Sequence, residues 1–586
     1  MSAADTASPT TPAAGRAPRL QRMLRSLLYG REVDREAKAK ARLILTIVVF
    51  AAIYCVVSAR LVIFAINSDP NGSRGGVSRD AVATSRPDIL DRNGLIIATD
   101  VKSPSLFAEP RKIIDVDEAA EQLTAVLPDL DAPELRDRLS SKRGFAWLKR
   151  ELTPQQQRVI HHLGIPGIGF LSENKRIYPN GPVVSHVIGH VNIDNQGIAG
   201  IEKWLDGQGL AALHQAGLAT DRLQKPVDLA IDLRVQYALR EELVAAKEKF
   251  KAIAAAGIIT DVRTGEIVAM VSEPDFNPNN PREANDPNRL NRLTTGVYEM
   301  GSTFKALTLA MALDSGRISL NSSFDARMPL RYGRFTISDY HAQRRVLTVP
   351  EIFTYSSNIG TARMALSLGV DYHKWFLKKL GQLDRLRTEL PESAEPLVPK
   401  HWGEINTVTI AFGHGLSVAP LQAVMGISAL VNGGMLIPPT FLKRTPEEAA
   451  KLGKRVIAAE TSEKMRYLMR LNVEKGTATK ADVPGYYIGG KTGTAEKVVG
   501  GRYSKHKLLT SFTAIMPADN PRYMLLIMID EPQGLKETYG YATSGWNAVP
   551  VGGAVVKRVA PLLGIKPRFD LPPADQLILA TLKDRR

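Results

Sequence analysis

At 586 residues the chain is too long for one compact core, and about three or four domains is the natural division. With 44% apolar and 23% charged residues it has the composition of a folded protein, while a net charge of +16 raises nucleic acid as a partner. The basic residues are scattered and nowhere interleaved with aromatics to build a stacking groove, so the charge fits an anionic lipid or wall polymer better than nucleic acid.

In chain order, the first 20 residues, rich in Ala, Pro and Thr, read as a disordered tail. An uncharged run, "LILTIVVFAAIYCVVSA" over 43–59, is bracketed by Arg42 and Arg60 and continues as "LVIFAI" to Ile66. Seventeen helical residues rise about 26 Å, marginal for a bilayer core, but the run through Ile66 spans it if Arg60 snorkels. Forty-two residues precede the run and no small-x-small site closes it, so it reads as an uncleaved signal anchor. Six Lys/Arg in the 20 residues before it, against three in the 20 after Ile66, keep the N-terminus cytoplasmic and put the remainder outside the membrane, in a bacterium the periplasm or cell exterior. The only cysteine, Cys55, lies in this run, which excludes intrachain disulfides and Cys-based metal sites.

From 67 to 225 the chain is mixed and polar. "DILDRNGLIIATD" (88–100) reads as two half-strands about an Asn93-Gly94 turn, and "RIYPNGPVVSHVIGHVNIDNQGIAGIE" (176–202) has no helical period. His186 and His190 stand four apart there, but Gly189 and the missing period make them poor metal ligands, and no metal or cofactor is expected. From 226 the texture changes. "AAAGIITDVRTGEIVAMVSEP" (254–274) reads as a hairpin, helices are expected over 302–314, 349–369 and 419–431, and buried strands over 511–517 and 523–532. Strands first and last with helices between predict an α+β domain whose antiparallel sheet pairs its N- and C-terminal strands.

Chemistry enters at "VYEMGSTFKALTLAMAL" (297–313). Ser302 falls in the first turn of an apolar helix, with Lys305 one turn along on the same face. Dipole and desolvation both push such a lysine's pKa down, so it can deprotonate a serine; the plain alternative is an N-cap with a snorkelling lysine. Ser-x-x-Lys also occurs at Ser172/Lys175 and Ser504/Lys507, so the pattern alone does not decide. "GYYIGGKT" (485–492) matches a phosphate-binding loop, with Asp530 available for magnesium. Pro484, Gly485, Gly493 and Gly500-Gly501 leave neither the strand before it nor the helix after it that such a loop needs, so no nucleotide is expected. The other reading is a strand carrying Lys491-Thr492-Gly493-Thr494. Its lysine is a second cation that lowers a neighbouring amine's pKa, Gly493 lets a substrate backbone approach, and two hydroxyls suit a carboxylate. Between the lysines, Ser356-Ser357-Asn358 gives a Ser-x-Asn triplet, matched also at Ser172/Asn174 and Ser319/Asn321, where caps or turns suffice.

Order and spacing carry more than any piece. Ser356 follows Ser302 by 54 residues and Lys491 follows Ser356 by 135. This set resembles the S-x-x-K, S-x-N and K-T-G signature of penicillin-binding proteins and class A β-lactamases. Over about residues 40–565 the chain is similar to class B penicillin-binding proteins. "RPDILDRNG" (86–94) resembles the family's R-G-x-I-x-D-R-N-G, with Pro87 for Gly, and 176–202 resembles its second pedestal motif. By that resemblance Arg86, Asp91, Arg92, Arg176 and Glu202 are scaffold, and Met300 replaces a loop proline. The implied architecture is a basic cytoplasmic tail (1–40), a transmembrane anchor (41–66), an elongated mixed α/β pedestal (67–225), a transpeptidase domain (226–565) and a C-terminal tail (566–586).

The resemblance implies serine acyl transfer between stem peptides. Ser302 attacks the D-Ala-D-Ala carbonyl, and Lys305, held neutral by burial and by Lys491, takes its proton. Ser356 relays the proton to the leaving D-alanine; Asn358 holds the donor peptide and orients Lys305. Backbone N–H groups of Ser302 and Thr494 make the oxyanion hole, Thr492 and Thr494 hold the terminal carboxylate, and Gly493 lies beside it. Nothing resembling a glycosyltransferase occurs in 67–225, and a β-lactamase or a non-catalytic division scaffold are the alternatives. "AFGHGLSVAPLQA" (411–423) is similar to the septal type's F-G-x-G-x-x-V-T-P-L-Q, with Ala419 for Thr, and no wall-binding repeats are expected after the Lys-Thr-Gly strand. The resemblance therefore implies a septal enzyme over an elongation one, with the stem pentapeptide as donor and acceptor, β-lactams as inhibitors and a SEDS-type lipid II polymerase as membrane partner.

Overall fold

The structure is a computed structural model that describes residues 35–66, 85–207, 225–333 and 335–584; the disordered tail expected over the first 20 residues lies outside them. The chain divides into two units, one up to residue 80 and one from residue 81.

In the first unit, Arg35–Ile66 is a single 32-residue helix that starts well before the apolar run. Its Leu43–Arg60 stretch is long and apolar enough to cross a bilayer, and none of it is buried among the described residues. A helix apolar on every side and uncovered has no core to enter in water, which suits a lipid surround.

In the second unit, residues 85–207 are built on a small sheet in which Ile96–Ala108 pairs antiparallel with Ile168–Ile177, from Thr99 opposite Ile177 to Ala108 opposite Ile168. Ile89–Leu90 pairs with the start of Ile96–Ala108 across the Asn93-Gly94 turn, as expected. Asp91 closes that turn: its Oδ1 accepts from the N–H groups of Asn93 (2.7 Å) and Leu95 (2.8 Å). The stretch 176–202 is less irregular than its sequence suggests, with short helices Ser185–Ile188 and Gly200–Leu205. They are too short to show a period and are held by tight contacts at Gly189, where a Cβ would lie 1.9 Å from the Ala199 carbonyl oxygen.

From residue 225 the core is a five-stranded antiparallel sheet in the order Gly489–Val499, Arg502–Met516, Tyr523–Asp530, Ala254–Asp261, Ile267–Glu273. The N-terminal strand pairs with the C-terminal one, as the strands-first, strands-last order predicts. Ala254–Asp261 and Tyr523–Asp530 are buried along their whole length, and alternate residues enter two separate cores. Ile258, Met524, Leu526 and Met528 pack with the helices Lys305–Asp314, Pro420–Val431 and Ala459–Lys475. Ile259, Leu525, Ile527 and Ile529 pack with Leu233–Lys249 and Ala548–Leu562. The sheet is thus sandwiched between helical layers, which explains why its strands read as continuous apolar runs. One expected element is corrected: 349–369 is not one helix but Val349–Thr354 and Asn358–Leu368, broken at Ser356, whose φ is +56°.

Candidate active site

Gly301–Phe304 is a 3-10 turn leading into Lys305–Asp314, a helix buried from Lys305 to Leu313. Gly301 has φ +54°, and a Cβ there would lie 2.8 Å from the Thr494 carbonyl oxygen. Its N–H donates to Gly413 O (3.1 Å), where a Cβ would in turn strike Gly301 O at 2.0 Å. Two close backbone approaches therefore press the Ser302 turn between the Lys-Thr-Gly strand and the 411–415 loop. No side chain caps the turn, and Ser302 is half-buried at its head.

Below Ser302 lie two fully buried lysines, Lys305 and Lys491, both 0% exposed. Lys305 Nζ donates to the carbonyl of Ser356 and to Ser356 Oγ (3.0 Å). Lys491 Nζ, from the opposite side, donates to the same Ser356 Oγ (3.0 Å) and to Thr492 O (3.2 Å) and Oγ1 (3.3 Å). The left-handed backbone of Ser356, at the break between two helices, aims its hydroxyl between the amines. Burial pushes Lys305 down from 10.5 to about 7, against the opposing pull of the Asp339 carboxylate. Lys491 is lowered as well, by burial first and by the Lys305 charge second. Burial is thus the expected cause at Lys305, while the expected contribution of the Lys491 charge is not among the causes acting on it.

The Lys-Thr-Gly segment is the edge strand Gly489–Val499, with no helix after it, so the phosphate-loop reading fails on geometry. Two residues expected to meet substrate also have close neighbours within the protein. Gly493 is needed for packing: a Cβ would lie 2.3 Å from Ser511 Oγ and 2.9 Å from Met300 O, on the side facing the nucleophile turn. Thr492 is turned inward, 7% exposed, its hydroxyl engaged with Thr477 Oγ1 (2.8 Å) and Lys491. Thr494 is more open, and its Oγ1 accepts from the Ser544 N–H (3.1 Å), leaving its own proton to donate.

No hydrogen bond joins Asn358 to Lys305 among the described residues. The Asn358 amide donates to Ser338 O (2.9 Å), because the helix Asn358–Leu368 is anchored by the preceding loop. Asp339 holds that anchor, accepting from Ser357 Oγ (2.7 Å) and the Ile359 N–H (2.9 Å). Asp339 has no sequence mark, since its contact crosses about twenty residues of chain. Glu299 was equally missed, though an acid inside "VYEMGS" was a usable signal. It accepts from Gly415 N–H (2.8 Å) and Tyr503 Oη (3.0 Å), tying the nucleophile loop to two neighbours. Burial, with the Lys305 charge adding, pushes His414 down to about 4 beside them. His186 and His190 do not converge on a common point; both rings meet Phe276 edge-on, at 5.4 and 5.9 Å.

The rival Ser-x-x-Lys pairs lie in strands with lysines ion-paired at the surface, Lys175 to Glu151 (3.0 Å) and Lys507 to Glu531 (3.3 Å). The sequence profile of the penicillin-binding protein transpeptidase domain matches residues 255–549, and that of the penicillin-binding protein dimerisation domain matches 81–207. The chain is 40% identical to the probable peptidoglycan D,D-transpeptidase FtsI of Caulobacter vibrioides over 507 residues, 85% of each protein. The chain belongs to the class B penicillin-binding proteins of the FtsI type. Other relatives of this penicillin-binding protein are peptidoglycan D,D-transpeptidase FtsI of Escherichia coli K12 (32% identical; 83% of this chain, 85% of that one) and probable peptidoglycan D,D-transpeptidase PenA of Neisseria gonorrhoeae (33%; 85% and 88%). A crystal structure of a peptidoglycan synthetase from Bifidobacterium adolescentis shares its fold, with TM-score 0.65 at 22% identity over 84% of this chain and 98% of that one.

Proposed function

We infer that this penicillin-binding protein is a serine-type peptidoglycan D,D-transpeptidase of septal wall synthesis, with Ser302 as its nucleophile. The observation that carries the assignment of roles is the single hydroxyl of Ser356 held between two buried lysines under the Ser302 turn. Two buried amines this close cannot both stay charged, and the pair favours one proton. Donor counting supports a proton on Lys491. Lys491 has three acceptors, the set an ammonium needs, and the Phe353 ring 5.7 Å away. Lys305 has two, which a neutral amine satisfies while keeping a lone pair for the Ser302 proton.

In the reaction, Ser302 Oγ attacks the penultimate D-alanine carbonyl as its proton passes to Lys305 Nζ. The N–H groups of Ser302 and Thr494 receive the oxyanion, at about 3–4 kcal/mol per donor. Ser356 Oγ–H protonates the leaving D-alanine nitrogen and recovers a proton from Lys305, leaving a Ser302 ester. An amine of a neighbouring stem peptide attacks that ester, its proton returns through the same groups, and the crosslink forms. Thr494, more than Thr492, receives the terminal carboxylate.

The septal reading rests on the FtsI relatives and the 411–423 segment. The helix Arg35–Ile66 is taken as a single span with a cytoplasmic N-terminus, meeting a polytopic lipid II polymerase. Labelled penicillin tests the enzyme reading: intact mass should show one stable adduct, peptide mapping should place it on Ser302, and Ser302→Ala should abolish it. Rapid release of the adduct would assign a β-lactamase, and no adduct a scaffold. Depletion should give undivided filaments; round, swollen cells would assign elongation.

A further inference from the structure

Between the paired strands Ser323–Asp325 and Val346–Thr348 runs a twenty-residue arm, 326–345, that contains the hairpin Leu330–Tyr332/Phe335–Ile337. It abuts the site directly, since Ser338 O takes the Asn358 amide and Asp339 anchors the helix behind it. Five of its twenty residues are Arg and one is acidic, whereas the whole chain has 76 Lys+Arg in 586. Arg327 is paired with Asp325 and Arg345 with Glu351. Arg331 and Arg344 are exposed and have no ion pair among the described residues. Beside them Phe335 is 55% exposed and Tyr340 70%. Single exposed apolar residues are ordinary, but aromatics interleaved with unpaired guanidiniums at the rim of a cleft have the composition of a binding surface.

We propose that the 326–345 arm is a docking site for the uncrosslinked wall strand, a glycan bearing carboxylated peptides. The proposal rests on the transpeptidase reading for the strand's identity. Arg331 and Arg344 pair with peptide carboxylates, while Phe335 and Tyr340 lie against the apolar faces of sugar rings. A wall strand fits better than an acidic protein because the arm is continuous with the rim where the strand's peptide must enter.

The test uses the full-length protein in detergent, with fluorescent uncrosslinked glycan–peptide strands and, separately, penicillin. Arg331→Glu with Arg344→Glu should weaken strand binding about tenfold or more and flatten its salt dependence, and Tyr340→Ala should weaken it several-fold. The Arg→Lys pair should keep most of the binding, strands with amidated carboxylates should bind like the charge-reversed variant, and penicillin acylation should stay within about twofold. Unchanged strand binding overturns the proposal. So does a parallel fall in acylation, which would mean the arm only props the Asn358 helix, or loss confined to an acidic division protein. A wild type that binds strands but takes no penicillin would sink the transpeptidase reading and leave the docking site standing.

Discussion

The buried cations of the 85–207 region and those of the cleft are partnered in opposite ways. Arg86 and Arg176, with side chains at most 1% exposed, share the Glu202 carboxylate at 2.8 and 2.7 Å; Arg86 also reaches Asp206 at 2.6 Å and Arg176 reaches Asp100 at 3.1 Å. Remaining guanidinium donors meet the carbonyls of Asn195, Glu202 and Pro87. Lys305 and Lys491 are as deeply buried, yet they bond only to neutral oxygens, and the nearest carboxylate acting on Lys305 belongs to Asp339. A buried charge fully matched by opposite charge fixes shape, because any change of partner leaves an uncompensated ion. A buried amine without a carboxylate is held off its preferred protonation state and is ready to take a proton.

The largest expected effect lies in the cleft. Lys305→Met should cut penicillin acylation of Ser302 by about 10³-fold or more, while unfolding temperature holds or rises, since an apolar chain replaces a desolvated amine. A fall of several degrees would erase the contrast. The wild type should also gain stability as pH rises from about 7 to 10.5, because the unfolded chain binds the Lys305 proton in that window and the folded one does not. The desolvation cost, about 5 kcal/mol when full, is complete below 7 and gone above 10.5, and Lys305→Met should remove the Lys305 share of that slope, leaving what the buried Lys491 contributes. Calorimetry across this range reads it.

In the 85–207 region the expected loss is one of stability. Glu202→Gln leaves Arg86 and Arg176 short of a shared anion and should cost about 3–5 kcal/mol in denaturant unfolding. Acylation by the folded fraction should be unchanged. Loss of acylation without loss of stability would move this network from scaffold to site.

The smallest effect links the two kinds of charge. Asp339 raises the Lys305 pKa, so Asp339→Asn should shift the rising limb of acylation toward lower pH. The rate should fall about tenfold, because an amide accepts less well from Ser357 and Ile359 at the anchor of the Asn358 helix. An unmoved limb would separate Asp339 from Lys305.

The legibility of this molecule follows from what its residues depend on. The sheet was readable because strands covered on both faces need continuous apolar runs, and Ser302, Lys305, Ser356 and Lys491 were readable because their side-chain types and order recur with the chemistry. The break at Ser356 was not, since "YSSN" serves a helix or a cap equally and only packing selects the left-handed backbone. The internal partners of Thr492 and Asn358 were not legible for a related reason. Which way a strand or cap residue turns is set by Thr477 and Ser338, neighbours that are distant or unmarked in sequence.

The pH dependence of penicillin acylation at Ser302, followed by intact mass, bears most directly on the claim that a neutral buried lysine is the base. The rate should rise about tenfold per pH unit below 7 and level off above it, as Lys305 loses its proton near 7. A rate flat from pH 5 to 8, or one that keeps climbing toward the ordinary lysine range, would contradict it.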